Sequence, residues 1–328
     1  MEQNGYRMRG QEDQGMGEWR PGQLWIQLQR RQRTDCNPGG GVGGGVQETD
    51  ADAYNEINGI AWHFVRTIHH FMKKIIHLSD LHIGHGDCGP DFRKIINNIS
   101  ERMNPARNYI IVITGDIVDN ANHTEFTDEA VESIGLLREK GYRILVVPGN
   151  HDYGNGAAGR KEFVPIFKKM FYGSADISYP KLDIIGRIAF IGLDSMAEEL
   201  HWYDRFFSEG ELGTEQLNRL EKILAEDKVK NRKKVVYLHH HPFDFKALMQ
   251  LKDNEQLRKL IAGKIDVILF GHYHRDEESA TRDYNGTWGI PRCYNGGSST
   301  HKNGHPGFQR IIDLSSGDTA KDFDGKFI

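Results

Sequence analysis

Short apolar runs rich in β-branched residues recur along the chain at 73–79, 109–114, 143–147, 188–193, 235–238 and 266–270. Between them lie stretches where apolar residues return every three to four positions, at about 91–103, 124–140, 160–171, 214–230 and 253–262. The first pattern predicts buried strands and the second amphipathic helices. In 214–230, Leu217, Leu220, Ile223 and Leu224 form the apolar stripe, and Thr214-Glu215-Gln216 offers an N-cap ahead of it. Strands alternating with helices predict an α/β layered domain whose strands are covered on both faces. A run at 308–314 reads as a closing strand, and no internal repeat is visible.

The first 71 residues break this pattern. They contain no lysine and no serine, and they hold twelve of the 37 glycines, crowded at 39–45. Such a stretch buries too little apolar surface to offset chain entropy, so it is expected to be a disordered extension. The segment 57–72 is more apolar but its helical periodicity is poor. Met72-Lys73-Lys74-Ile75-Ile76 reads like the opening of a domain, so the functional domain is expected to span 72–328. Residues 1–71 are then an appendage or the product of a misassigned start codon.

The strand ends carry residues that a core does not want. They are Asp80-Leu81-His82, Gly115-Asp116-Ile117-Val118-Asp119-Asn120, Gly149-Asn150-His151-Asp152, His239-His240-His241-Pro242 and Gly271-His272-Tyr273-His274. In open α/β sheets, ligand sites gather at the carboxyl ends of strands. Carboxylate, carboxamide and imidazole without thiolate form a ligand set for borderline divalent metals. Strand alternation would put both members of Asp-x-His or His-x-His on one side, so each pair can close on one ion. Glycines before Asp116, Asn150 and His272 let the backbone turn and approach closely. Any one block is weak, but five in succession, each behind an apolar strand, point to a metal centre.

Composition narrows the partners. With 42 Lys+Arg against 46 Asp+Glu, the net charge of −4 offers no basic track for nucleic acid. Three cysteines argue against a disulfide scaffold and fit a reducing compartment, so a cytoplasmic location is expected. There is no apolar run of membrane-spanning length and no secretory leader pattern.

The five blocks resemble the signature of the calcineurin-like metallophosphoesterases, from about Lys73 to Leu314. The resemblance implies a four-layer αββα sandwich with a two-metal centre. It implies that Asp80, His82 and His274 hold one ion, that Asp116 bridges, and that Asn150, His240 and His272 hold the other. His240 is chosen among the three histidines because the family's ligand directly precedes a His-Pro pair. His239 is the fallback, and His241 contacts phosphate or packs. His151 stands over the site as general acid, and Asp152 is expected to orient it and fix its tautomer. The expected cofactors are two divalent ions: Mn²⁺, Fe²⁺/Fe³⁺ or Zn²⁺.

The chemistry implied is hydrolysis of a phosphate ester. Two cations about 3.5–4 Å apart lower the pKa of a shared water and neutralise transition-state charge. The hydroxide attacks phosphorus while His151 protonates the departing alkoxide. Asn120 and Asp152 stand where protein phosphatases of the family carry arginine and glutamate, which disfavours that branch. Leu212-Gly213-Thr214-Glu215-Gln216-Leu217 and Asn295-Gly296-Gly297-Ser298-Ser299-Thr300 look closest to the bacterial cyclic-nucleotide phosphodiesterases. A small phosphodiester is therefore the expected substrate, with a monoester or nucleotide as the alternative and a non-catalytic metal-binding scaffold behind both. A homodimer is compatible with the sequence. His85 and Cys88 either line the substrate mouth or sit in a solvated loop. Trp202, Tyr203, Phe206 and Phe207 read as a packed loop or interface. His69, His70 and His77 lie outside any ligand spacing and read as incidental.

Overall fold

The computed structural model describes residues 73–196, 209–243, 251–275, 286–300, 306–323 and 326–327. The expected extension over 1–71, the aromatic cluster from Trp202 to Phe207 and the outlying histidines His69 and His70 fall outside them.

Strand β1 (Lys74–Leu78) leads through helix α1 (Cys88–Arg102) to β2 (Tyr109–Thr114), then through α2 (Thr124–Glu139) to β3 (Arg143–Val147). After α3 (Phe163–Tyr172) come β4 (Lys181–Ile185) and β5 (Ile188–Gly192). Helices α4 (Thr214–Ala225) and α5 (Asp227–Lys230) precede β6 (Lys233–Tyr237), and α6 (Asn254–Ile261) precedes β7 (Val267–Phe270). Strands β8 (Arg292–Asn295), β9 (Gln309–Asp313), β10 (Thr319–Phe323) and β11 (Lys326–Phe327) close the chain.

These strands form two sheets, ordered β11-β10-β9-β1-β2-β3 and β4-β5-β6-β7-β8. β1, β2 and β3 run parallel, as do β5 through β8, so their carboxyl ends share one edge in each sheet. Burial on both faces explains the near-continuous apolar runs. Ile76, Ile111 and Val146 face α1, α2 and α3 through Phe92, Ile99, Ile134 and Phe171. Their sequence neighbours Ile75, Ile110 and Leu145 face Phe190, Val235 and Val267 of the other sheet. On that sheet's far side, Ile191, Val236 and Ile268 pack against Leu217, Leu220 and Leu257 of α4 and α6. This is the expected αββα sandwich. No helix of the described residues is long and apolar enough to cross a membrane.

Some expected elements shift. The helix predicted over 214–230 divides at Glu226, whose backbone is extended (φ −67°, ψ 137°). Thr214 makes no capping bond. The approach to α4 is instead held by the Asp253 carboxylate, which accepts from the Leu212 and Gly213 amides at 2.9–3.1 Å. Strands β4, β8 and β10 carry no sequence signal, because KLDII, RCYN and TAKDF lack an apolar run or a clean alternation.

Candidate metal centre

β1 ends at Leu78, and Asp80 and His82 lie in the turn beyond it rather than in the strand. Both adopt left-handed backbone (φ 51° and 44°), as do Asp116 (φ 49°) and His272 (φ 68°). The expected reason for convergence, strand alternation, is therefore corrected: the side chains converge because the chain turns left-handed at the ends of β1, β2 and β7. For residues with a side chain this conformation costs of order 1–3 kcal/mol each, and such strain gathers at functional sites. Backbone bonds hold it in place, from the Asp80 amide to the Gly115 carbonyl (3.1 Å) and from the His82 amide to the Asp116 carbonyl (3.0 Å). Gly149 is required where β3 passes the site, since a Cβ there would lie 2.2 Å from Asp116 Oδ1.

Two overlapping donor sets result. In the first, His274 Nε2 lies 3.1 Å from both His82 Nε2 and Asp80 Oδ1, and His82 Nε2 lies 3.7 Å from Asp116 Oδ2. In the second, His239 Nε2 lies 3.4 Å from the same Asp116 Oδ2, 3.0 Å from Asn150 Oδ1 and 3.1 Å from His272 Nδ1. Two ligand atoms that each stand about 2.1 Å from a cation are about 3.0–3.4 Å apart at octahedral or tetrahedral angles. All the spacings but the 3.7 Å between His82 and Asp116 fall in that range, and the oxygen and nitrogen donors suit a divalent ion.

The fallback His239 is the histidine whose ring meets Asp116, Asn150 and His272, and His240 joins His239 and His272 in a group whose ligand atoms lie within 4.8 Å of one another. The reason is strand phase: Val235 and Tyr237 of β6 face the other sheet, and His239 continues that face two residues on. Its Nδ1 donates to the Thr114 carbonyl at 2.8 Å, which fixes the tautomer and leaves Nε2 for the centre. His240 remains near, its Nδ1 2.8 Å from Ser195 Oγ and its buried Nε2 without a hydrogen bond. His241 packs against Phe243 and Phe270.

Charge at the centre is shared among these groups. Burial opposes ionisation of Asp116, but His239, His151 and His82 hold its carboxyl well below the usual range. Burial likewise opposes a charge on His239, yet the Asp116 carboxylate raises its imidazole to about 9. Burial and His239 push His272 down to about 3. The cluster thus keeps its carboxylates ionised and carries positive charge where a cation would sit.

His151 follows β3 at the edge of the centre, its side chain one-fifth exposed. Its amide donates to Asp116 Oδ1 at 2.9 Å, and its Nδ1 donates to the Asp119 carbonyl at 2.5 Å. The expected role of Asp152 is corrected. Its carboxylate accepts from the Ile117, Val118 and Gly149 amides at 2.8–3.1 Å and so ties the second block to the third. Asp119 enters the sequence reading only as part of its block, and it does more: its carboxylate also lies 3.3 Å from His82 Nδ1. The second aspartate of Gly-Asp-x-x-Asp is the signal available for it. His85 stands half-exposed 3.7 Å from Asp119, whereas Cys88 is buried at the start of α1.

Among curated proteins no sequence relative is found. Solved structures similar in fold include TT1561 of Thermus thermophilus, with 12% identity, a TM-score of 0.49, and 77% of this chain and 99% of that one covered. Another is the calcineurin-like phosphoesterase YfkN from Bacillus subtilis, with 15% identity, a TM-score of 0.47, and 78% and 87% covered. A third is an archaeal phosphodiesterase, with 13% identity, a TM-score of 0.39, and 76% and 99% covered. Likenesses this low carry no function across. The family model for calcineurin-like phosphoesterases, however, matches residues 73–276, the stretch that supplies both donor sets and His151. With that match over more than half its length, the chain belongs to the calcineurin-like phosphoesterase family.

Proposed function

We propose that this phosphoesterase is a dinuclear metal enzyme that hydrolyses small phosphodiesters, with His151 as general acid. The observation that carries the reading is Asp116 Oδ2, which faces His82 on one side and His239 on the other. In this reading Asp80, His82, His274 and Asp116 hold one ion, and Asp116, Asn150, His239 and His272 hold the other. When bound, the two cations supply Lewis-acid stabilisation of the phosphoryl group and a water acidic enough to act as nucleophile near neutral pH.

The chain's own groups do the rest. Asp116 Oδ1 accepts the His151 amide, so the bridging carboxylate and the proton donor are positioned together. The Asp119 carbonyl holds His151 Nδ1 and leaves Nε2 as the nitrogen from which a departing alkoxide can take a proton. Gly156 leaves that edge of the ring uncrowded, since a Cβ there would lie 2.2 Å from His151 Nε2.

The test uses the full chain, stripped of metal and reloaded with Mn²⁺, on bis(p-nitrophenyl) phosphate and on p-nitrophenyl phosphate. Diester turnover that disappears in Asp116→Ala supports the reading. In His151→Ala the metals should stay bound while turnover falls by about 10²–10⁴-fold. Preference for the monoester would move the substrate toward nucleotides or sugar phosphates, and an inert protein with two ions bound would make it a scaffold.

A further inference from the structure

Three residues from the site, β1 carries a fully buried histidine that no ligand spacing explains. His77 Nε2 lies 2.9 Å from Thr114 Oγ1, and Thr114 Oγ1 lies 2.8 Å from Ser79 Oγ. Ser79 Oγ in turn bonds Asp80 Oδ2. All four residues are sealed from solvent.

The direction of this chain follows from its end. A carboxylate only accepts, so the Ser79 hydroxyl donates to Asp80. Ser79 Oγ then accepts from the Thr114 hydroxyl, and Thr114 Oγ1 accepts from the Nε2–H of His77. The competing acceptors are farther away, the Thr114 carbonyl at 3.3 Å from Ser79 Oγ and the Leu78 carbonyl at 3.4 Å from Thr114 Oγ1. The sequence also makes room for the chain. A Cβ at Gly271 would lie 1.9 Å from Ser79 Oγ, and one at Gly296 would lie 2.5 Å from Ser79 Cβ and 3.1 Å from His77 Nε2.

The consequence falls on Asp80. Its Oδ2 accepts from Ser79 and from the His272 amide at 3.1 Å, so this oxygen is spent on protein donors. Its Oδ1 is left to face His274 Nε2, 3.1 Å away, on the side of the first donor set. We propose that His77, acting through Thr114 and Ser79, is a positioning residue that orients the Asp80 carboxylate so that one defined oxygen is presented to the metal. Burial and the nearby Arg310 push the His77 imidazole down to about 3, so the chain adds a donor beneath the site without adding charge. His77 Nδ1 is buried without a partner, as a bare lone pair rather than a stranded N–H. The inference rests on the reading of Asp80 as a metal ligand.

The experiment titrates Mn²⁺ into the metal-stripped full chain by calorimetry, with folding of each variant checked by circular dichroism. Wild type is expected to take two ions. His77→Leu and Thr114→Val should each weaken one of the two by roughly 10-fold, the lower end of what outer partners of metal ligands contribute. His77→Gln and Thr114→Ser, which keep a donor and a hydroxyl at those positions, should restore it. If His77→Leu does not fold, the near-isosteric Thr114→Val decides. Folded Thr114→Val with wild-type affinity for both ions overturns the inference and leaves the dinuclear reading standing. Wild-type protein that binds no Mn²⁺ overturns that reading and this inference with it.

Discussion

Asp116 is the residue on which the centre turns, because one of its oxygens meets both imidazole groups and the other takes the His151 amide. Its closest ionic neighbour of the second set is His239, whose imidazole is raised to about 9. A ligand imidazole must be neutral, so a cation has to displace that proton. The sign follows: affinity should rise with pH up to about 9 and then level off. His272, down at about 3, is already neutral and adds no proton at neutral pH. Metal titrations at pH 7.5 in buffers of different ionisation enthalpy should therefore show about one proton released per centre, and this should vanish in His239→Ala but persist in His240→Ala. The residues of all five blocks are legible in the sequence. Which of the three consecutive histidines meets Asp116 is not, because the His-Pro rule and strand phase point to different residues. The partner of His151 is hidden because it is the Asp119 backbone carbonyl, while backbone amides take the Asp152 carboxylate, and backbone groups leave no mark in a sequence.

At the scale of elements, the left-handed ligand turns depend on a segment far along the chain. Among the described residues, the non-glycine positions with positive φ are Asp80, His82, Asp116 and His272. The stretch after β8 clamps the first of these turns. Ser299 Oγ accepts the Ser79 amide at 3.0 Å, Ser298 Oγ donates to the Asp80 carbonyl at 2.9 Å, and Thr300 Oγ1 donates to the Leu81 carbonyl at 3.0 Å. Ser299→Ala would leave the buried Ser79 amide without its acceptor, at a cost of about 1–3 kcal/mol. Urea denaturation of the metal-free protein should show that loss, and an unchanged midpoint would mean the clamp is slack. The Gly-Gly-Ser-Ser-Thr stretch is visible in the sequence as a likeness to one branch of the family, but its physical task is not. The strands with long apolar runs are legible because burial on both faces dictates them. β4 is not, because its half-exposed edge position tolerates Lys181 and Asp183.

For the whole molecule, the centre joins the two sheets. Asp80, Asp116 and Asn150 follow strands of the first sheet, while His239, His272 and His274 follow strands of the second. Each proposed ion is therefore held from both sides of the sandwich, and Asp116 is the group common to the pair. That sharing is the claim everything else depends on. The direct measurement is the metal content of the full chain, purified, reloaded with Mn²⁺ and desalted, for wild type beside Asp116→Ala. The account predicts two ions per chain in wild type and loss of both in the variant. Two ions retained by Asp116→Ala, or a single ion in the wild type, would contradict it.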